Sequence, residues 1–205
     1  RERMAAAAVR AGRDPRAVTL VAVGKTKPLE DLLAAHAAGA VHFGENRVQE
    51  DEAKFPLLPA GAVRHLIGPI QSNKAARAAR VADVVQTVDS AEIAGRLARG
   101  AGAAGKRLRV LIEVRLGGEA TKAGVEPDDV PALADAVRAL PGLELAGLMT
   151  IPPPGETRPH FAALRRLGER LGLPELSMGM SDDFEAAIEE GATLVRVGTA
   201  IFGTR

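Results

Sequence analysis

Apolar residues follow two alternating rhythms along this 205-residue chain. Short, nearly continuous apolar runs rich in β-branched residues are separated by stretches where Leu, Ala and Val return every third or fourth position. The first kind reads as a strand buried on both faces, as in a parallel sheet, and the second as an amphipathic helix. The clearest run is Val18, Leu20, Val21, Ala22 and Val23. Further runs at 41–43, 63–67, 84–88, 108–116, 145–149, 175–178 and 194–197 bring the predicted strands to eight.

Helical stretches fill the intervals. An alanine-rich one over 1–12 ends near Gly12, and Asp14-Pro15 opens the turn into the first strand. A second passes through Leu29, Leu32, Leu33 and Ala37 to Gly39, placed as a C′ glycine. Others end near Phe55, follow Lys74, start from a cap at Asp89 or Ser90, and run from around Pro127 to Pro141-Gly142. The last two span about Thr157 to Leu171 and Ser181 to Glu190. Strands that begin roughly every 20–35 residues, each followed by a helix, have the pace of βα units, and a closed barrel needs at least about 200 residues. The predicted fold is therefore α/β, a single (β/α)8 TIM-type barrel forming one domain over 1–205, since no repeat or low-complexity linker divides the chain. Too little chain follows the eighth strand for a full helix, so the N-terminal helix is expected to cover that gap. A doubly wound open sheet is the alternative, although no G-x-G-x-x-G supports it.

Composition removes several classes of function. With 46% hydrophobic residues the chain can bury a substantial core. A net charge of +1 gives no electrostatic case for nucleic acid or an anionic membrane, and 2% aromatics leave no platform for stacked bases. Cysteine is absent, which closes disulfide, thiolate and zinc–thiolate chemistry and suits a reducing, cytoplasmic setting. The four histidines lack metal-ligand spacing, so no metal site is expected. Tyrosine is absent too, so the chain can supply no phenolic acid or base. No apolar run reaches the roughly 18 residues of a membrane span, and no signal-peptide pattern shows. The first residue is Arg1, so the natural start is expected further upstream.

Candidate chemistry lies where the first strand stops, at Gly24-Lys25-Thr26-Lys27-Pro28. A lysine at the C-terminal end of a buried strand occupies the rim where α/β barrels place their chemistry. Partial desolvation and a second cation two residues on would both favour the neutral amine that attacks carbonyls. Two plainer readings compete. Lysines at strand ends are commonly solvated loop charges. Gly24-Lys25-Thr26 also mimics the tail of a P-loop, but Thr19 stands where that motif needs a glycine, and strand residues occupy the loop.

Parallel strands would collect Lys25, Asn46, the 71–74 loop, Lys122, Thr150, Ser181, Arg196 and Thr199 on one rim. The loops after strands seven and eight, Met178-Gly179-Met180-Ser181 and Gly198-Thr199-Ala200, fall at the usual phosphate position of such barrels. Their small residues let backbone N–H groups approach an anion. Helix capping alone would also account for Ser181, Thr199 and Asn46, while Asp182 and Asp183 would repel an anion unless turned away. Arg196, between Val195 and Val197, needs a partner, either an internal carboxylate such as Glu113 or a ring nitrogen or anionic group of a ligand.

Six segments carry a resemblance: V-A-V-G-K-T-K-P, H-F-G-E-N, H-L-I-G-P-I-Q-S-N-K, G-L-M-T-I-P, L-S-M-G-M-S-D-D-F-E-A-A-I and V-R-V-G-T-A-I-F-G. Through them the chain resembles the pyridoxal-5′-phosphate homeostasis protein family, a relative of the alanine racemase N-terminal barrel. The resemblance implies that Lys25 holds pyridoxal 5′-phosphate as an internal aldimine and that Arg196 faces the pyridine nitrogen. It places Ser181, Gly198 and Thr199 on the phosphate and Asn46 beside the ring. It also implies a cofactor binder and carrier in vitamin B6 homeostasis, not an enzyme, with PLP-dependent apoenzymes as partners. A cytoplasmic monomer is expected.

Elementary chemistry agrees with that expectation. An arginine at the pyridine nitrogen keeps it largely unprotonated, which weakens the electron sink that pyridoxal catalysis uses. The tyrosine that faces the lysine in alanine racemase has no counterpart here. A racemase or lyase using Lys25, and a Schiff-base aldolase with a sugar phosphate in the same place, are the alternatives. The family usually has serine at Gly24, tyrosine at Arg47, and asparagine-X-serine where Arg115-Leu116-Gly117 precede Gly118-Glu119. Contacts near Arg47 and Arg115 are therefore expected to differ.

Overall fold

The computed structural model describes residues 1–117 and 123–203. The continuous apolar runs become strands because both of their faces are covered, by helices outside and by other strands across the interior. Among the described residues eight parallel strands close on themselves. They are β1 (Thr19–Val23), β2 (His42–Glu45), β3 (Val63–Leu66), β4 (Val84–Val88), β5 (Leu108–Glu113), β6 (Leu143–Met149), β7 (Glu175–Ser177) and β8 (Leu194–Val197). Closure is direct: β1 pairs with β2 on one side and with β8 on the other, where Val21 lies beside Arg196. That excludes the open, doubly wound sheet.

The helices are α1 (Glu2–Arg10), α2 (Leu29–Ala37), α3 (Val48–Lys54), α4 (Ala75–Val81), α5 (Ala91–Ala103), α6 (Val130–Arg138), α7 (Arg158–Leu171), α8 (Phe184–Glu189) and α9 (Thr199–Phe202). The cap of α5 is Ser90, whose hydroxyl accepts from Ile93 N–H at 3.3 Å. Two helices begin later than their sequences suggest, because a turn closes first. A turn from Glu126 to Asp129 precedes α6, and the Asp183 carboxylate takes the Met180 N–H at 2.7 Å ahead of α8. The fifth strand stops at Glu113 because Val114 bridges instead to the returning Val125.

Only the four-residue α9 follows β8 among the described residues, and α1 fills the space left. It buries Met4, Ala7 and Ala8 and holds α8 through Arg3–Glu185 and Arg10–Glu189 pairs. Arg13 adds a bond to the Ile188 carbonyl. Fully buried Phe43, Phe161, Leu148 and Leu164 anchor the layers, each worth about 1.5–3 kcal/mol over an exposed side chain. No helix among the described residues is long and apolar enough to cross a membrane.

Candidate functional site

The C-terminal ends of the strands enclose a cavity of about 370 Å³ lined by Lys25, Asn46, Ser181, Arg196, Gly198 and Thr199. All six residues singled out in the sequence thus meet around one space, of a size that suits a small molecule. Val23, Ile67 and Ile151 give it an apolar side. The rest of the expected rim divides. Residues Gln71 and Lys74 line a separate, wider groove that shares Asn46 as its wall and contains Arg47. Thr150 is buried below, its hydroxyl donating to the Val114 carbonyl at 2.8 Å. Arg115 pairs with Glu126 at 2.7 Å. Lys122, Gly118 and Glu119 lie outside the described residues.

Lys25 sits at the start of a strained turn. Thr26 has φ 63°, a left-handed conformation costly for a β-branched residue, on the order of 1–3 kcal/mol. Several bonds hold it there. Lys27 N–H reaches the Gly24 carbonyl at 3.0 Å, and the Glu50 carboxylate accepts from Thr26 N–H at 3.1 Å. The Lys54 ammonium donates to the Gly24 carbonyl at 3.1 Å and to buried Glu45 at 2.8 Å. This brace was not anticipated from the sequence, although Glu50 and Lys54 stand at the i, i+4 spacing that marks a helical ion pair.

Next to it, Asp51 is fully buried, and among the described residues neither carboxylate oxygen has a hydrogen-bond partner. Burial, then the nearby Glu45 and Glu50, pushes its carboxyl up to about 8. Burial raises Glu45 to about 7 against the opposing pull of Lys54. The desolvation expected at Lys25 is not found, because its side chain is exposed. The Lys27 ammonium donates to the Phe202 carbonyl at 2.8 Å.

On the opposite wall Ser181 ties two loops together. Its hydroxyl oxygen accepts from Gly198 N–H at 3.3 Å and Ala200 N–H at 3.4 Å. It is not the cap of α8, a place taken by Asp183, and Thr199 follows the Gly198 cap of α9. Asp183 is turned into its own loop, while exposed Asp182 reaches the cavity. A Cβ at Gly198 would stand 3.3 Å from the Val23 carbonyl, so glycine keeps this loop close to β1. Asn46 does not cap α3, where Arg47 precedes the helix. Its carbonyl instead packs on Gly68, where any Cβ would collide with it.

Arg196 closes the floor and is 3% exposed. The internal ion pair with Glu113 is absent, as no carboxylate among the described residues lies within 4 Å. Its guanidinium donates instead to the Ser177 hydroxyl at 2.7 Å and the Thr150 carbonyl at 2.9 Å. Burial lowers it to about 10, with Glu113 and Asp183 pulling the other way, so it stays charged at neutral pH. Burial also pushes Glu113 up to about 7, with Asp89 adding and Arg196 opposing. An amine on one wall, converging amides on the other and a cation held by neutral partners can retain an anionic carbonyl compound. Among the described residues no group of three or more ligands could hold a metal ion.

The family model of the alanine racemase N-terminal domain matches residues 3–205. A pyridoxal phosphate homeostasis protein of Pseudomonas aeruginosa is 50% identical over 212 residues, which cover 99% of this chain and 91% of that protein. Among solved structures, PipY of Synechococcus elongatus with PLP bound superposes with a TM-score of 0.84 at 40% identity, over 98% of this chain and 99% of that one. Alanine racemase of Corynebacterium glutamicum shares the fold at 20% identity and TM-score 0.71, covering 60% of that longer chain.

Proposed function

The chain belongs to the family of pyridoxal phosphate homeostasis proteins, and from that premise we propose that it holds pyridoxal 5′-phosphate at Lys25 as an intracellular carrier. The observation that supports this most is the meeting of Lys25, Asn46, Ser181, Arg196, Gly198 and Thr199 around one cavity. The group fits the donor set. Gly198 and Ala200 N–H converge on a single oxygen, that of Ser181, which is an acceptor position a phosphate oxygen can share. When bound, pyridoxal phosphate supplies an aldehyde that a lysine amine captures reversibly with loss of one water.

The chain's residues then divide the work. Ser181, Gly198 and Thr199 bind the phosphate, Asn46 flanks the ring, and the exposed Lys25 amine meets the aldehyde without first shedding a buried environment. Arg196, a cavity-lining group with N–H donors only, would face the ring nitrogen and would keep that atom free of a proton, withholding the electron sink that catalysis needs. No tyrosine exists to act as a second acid–base group. The reading is therefore a monomeric, cytoplasmic cofactor holder that serves PLP-dependent apoenzymes, not a racemase.

The test is made on purified protein loaded with pyridoxal phosphate. A visible absorbance band bleached by borohydride is expected, together with no loss of α-proton signal from alanine in deuterated water over hours. A colourless protein would end the cofactor reading. Rapid exchange would make the protein an enzyme.

A further inference from the structure

Below Arg196 a single line of hydrogen bonds crosses the barrel interior. Arg196 Nη1 donates to Ser177 Oγ at 2.7 Å, and Ser177 Oγ donates to Gln86 Oε1 at 2.6 Å. Gln86 Nε2 lies 2.8 Å from His65 Nδ1, and His65 Nε2 lies 2.9 Å from His42 Nδ1. The five residues come from β8, β7, β4, β3 and β2 in turn. Ser177 and Gln86 are fully buried and His65 is 1% exposed. None of the four below Arg196 lines the Lys25 cavity.

The direction of the line is fixed at its upper end. A guanidinium has donors only, so Ser177 Oγ must accept and spends its own proton on the Gln86 carbonyl oxygen. Gln86 then turns its NH₂ toward His65, so His65 Nδ1 accepts and the imidazole proton sits on Nε2, facing His42 Nδ1. An imidazolium at His65 would set a donor against the Gln86 NH₂. Burial, followed by His42 and Arg109, pushes His65 down to about 3 and keeps it neutral. Ser177 is the only side chain among the described residues that Arg196 bonds. Its other acceptor is a backbone carbonyl, which no substitution replaces.

We propose that Gln86 is a positioning residue: acting through Ser177, it sets the plane of the Arg196 guanidinium and thereby which N–H groups face the cavity. The proposal rests on the reading of that cavity as the cofactor site. A glutamine that only satisfied the core would affect stability alone. A positioning residue must also change how the cofactor is held and how it absorbs light.

Three variants of the full chain separate these roles. Gln86→Leu removes the acceptor for Ser177 and should weaken pyridoxal phosphate retention about tenfold and shift the visible band. Gln86→Glu keeps that acceptor and, protonated at this buried position, still donates to His65 Nδ1. It should hold cofactor within about threefold of the parent below about pH 6 and leave the His65 proton on Nε2. Should Gln86→Leu fail to fold, Ser177→Ala, which leaves only a small void, carries the same comparison. Nitrogen NMR of the cofactor-free parent should show His65 neutral with its proton on Nε2. An Nδ1–H or imidazolium His65 in the parent would overturn the line. Unchanged affinity and band in folded Gln86→Leu, or in Ser177→Ala, would overturn the positioning role. A parent that binds no pyridoxal phosphate would instead fail the cavity reading, and the NMR result would still decide the line.

Discussion

The two ends of the barrel treat the arginines of their strands in opposite ways. At the N-terminal end Arg64 grips Asp83 with two side-chain bonds of 2.7 Å, and Arg109 lies between Glu144 and Glu175 at 2.7 Å each. Those carboxylates raise both guanidiniums above their ordinary range. At the C-terminal end Arg196 has a hydroxyl and a carbonyl for partners and is lowered by burial, while exposed Lys25 has no ion pair among the described residues. Charge neutralised inside the molecule can only hold the molecule together. Charge left with neutral partners is available to an anion from outside. The difference marks one end as scaffold and the other as site, in keeping with where barrels of this kind carry their chemistry.

The largest effect expected from breaking this division is at the mouth. Ser181→Ala with Thr199→Ala should weaken retention of pyridoxal phosphate by about 100-fold or more, because charge-assisted bonds to phosphate are worth roughly 1.5–3 kcal/mol each. Thermal stability should fall by only about 1 kcal/mol, the value of the long bonds that the Ser181 hydroxyl accepts from the Gly198 and Ala200 amides. Equilibrium dialysis and a melting curve read the two effects separately, and a falling Tm with unchanged affinity would move the phosphate elsewhere.

The second effect concerns what the mouth costs. Asp51 reaches about 8 in the folded chain against an ordinary value near 4, so between those pH values the folded chain keeps a proton that the unfolded chain has lost. Its stabilisation is complete below about pH 4 and is lost as pH rises through 8. Asp51→Asn removes that titration and should gain on the order of 2 kcal/mol at pH 9, or about 4–8 °C at this chain length, with a smaller gain at pH 6. Parallel melting curves for parent and variant across that range would refute the assignment. His65 acts with the opposite sign: lowered to about 3, it contributes stability above about pH 6.5 that is lost as pH falls toward 3.

The smallest effect is at the scaffold end. Asp83→Asn should cost about 1 kcal/mol, since Arg64 and Asp83 are each a third exposed, and leave cofactor affinity within twofold of the parent. A larger loss of affinity would show that the two ends are not independent.

The strands were legible because a parallel strand buried on both faces leaves an unbroken apolar run, and β1 and β8 bear that out at Thr19–Val23 and Leu194–Val197. From those ends alone Lys25, Arg196 and the Gly198 loop fall on one rim. The division of labour among Asn46, Ser181 and Thr199 came with the family resemblance. The brace of Glu45, Glu50 and Lys54 was hidden because it forms only when α3 folds back over the Lys25 turn. Of the alternatives the sequence left open for Arg196, the internal carboxylate is not the partner found, for a related reason. A sequence displays carboxylates such as Glu113, whereas the true acceptors are a hydroxyl and a backbone carbonyl. Exposure of Lys25 likewise depends on the Thr26 turn, which no local pattern announces.

The most direct measurement traps the bound cofactor with borohydride, digests the protein and weighs the peptides. The account predicts a single pyridoxyl mass, on the peptide containing Lys25, and its complete loss in Lys25→Ala with a Tm change of less than about 0.5 kcal/mol equivalent, since the side chain is exposed. The same mass found instead on Lys27, Lys54, Lys74 or Lys122, with Lys25 unmodified, would contradict it.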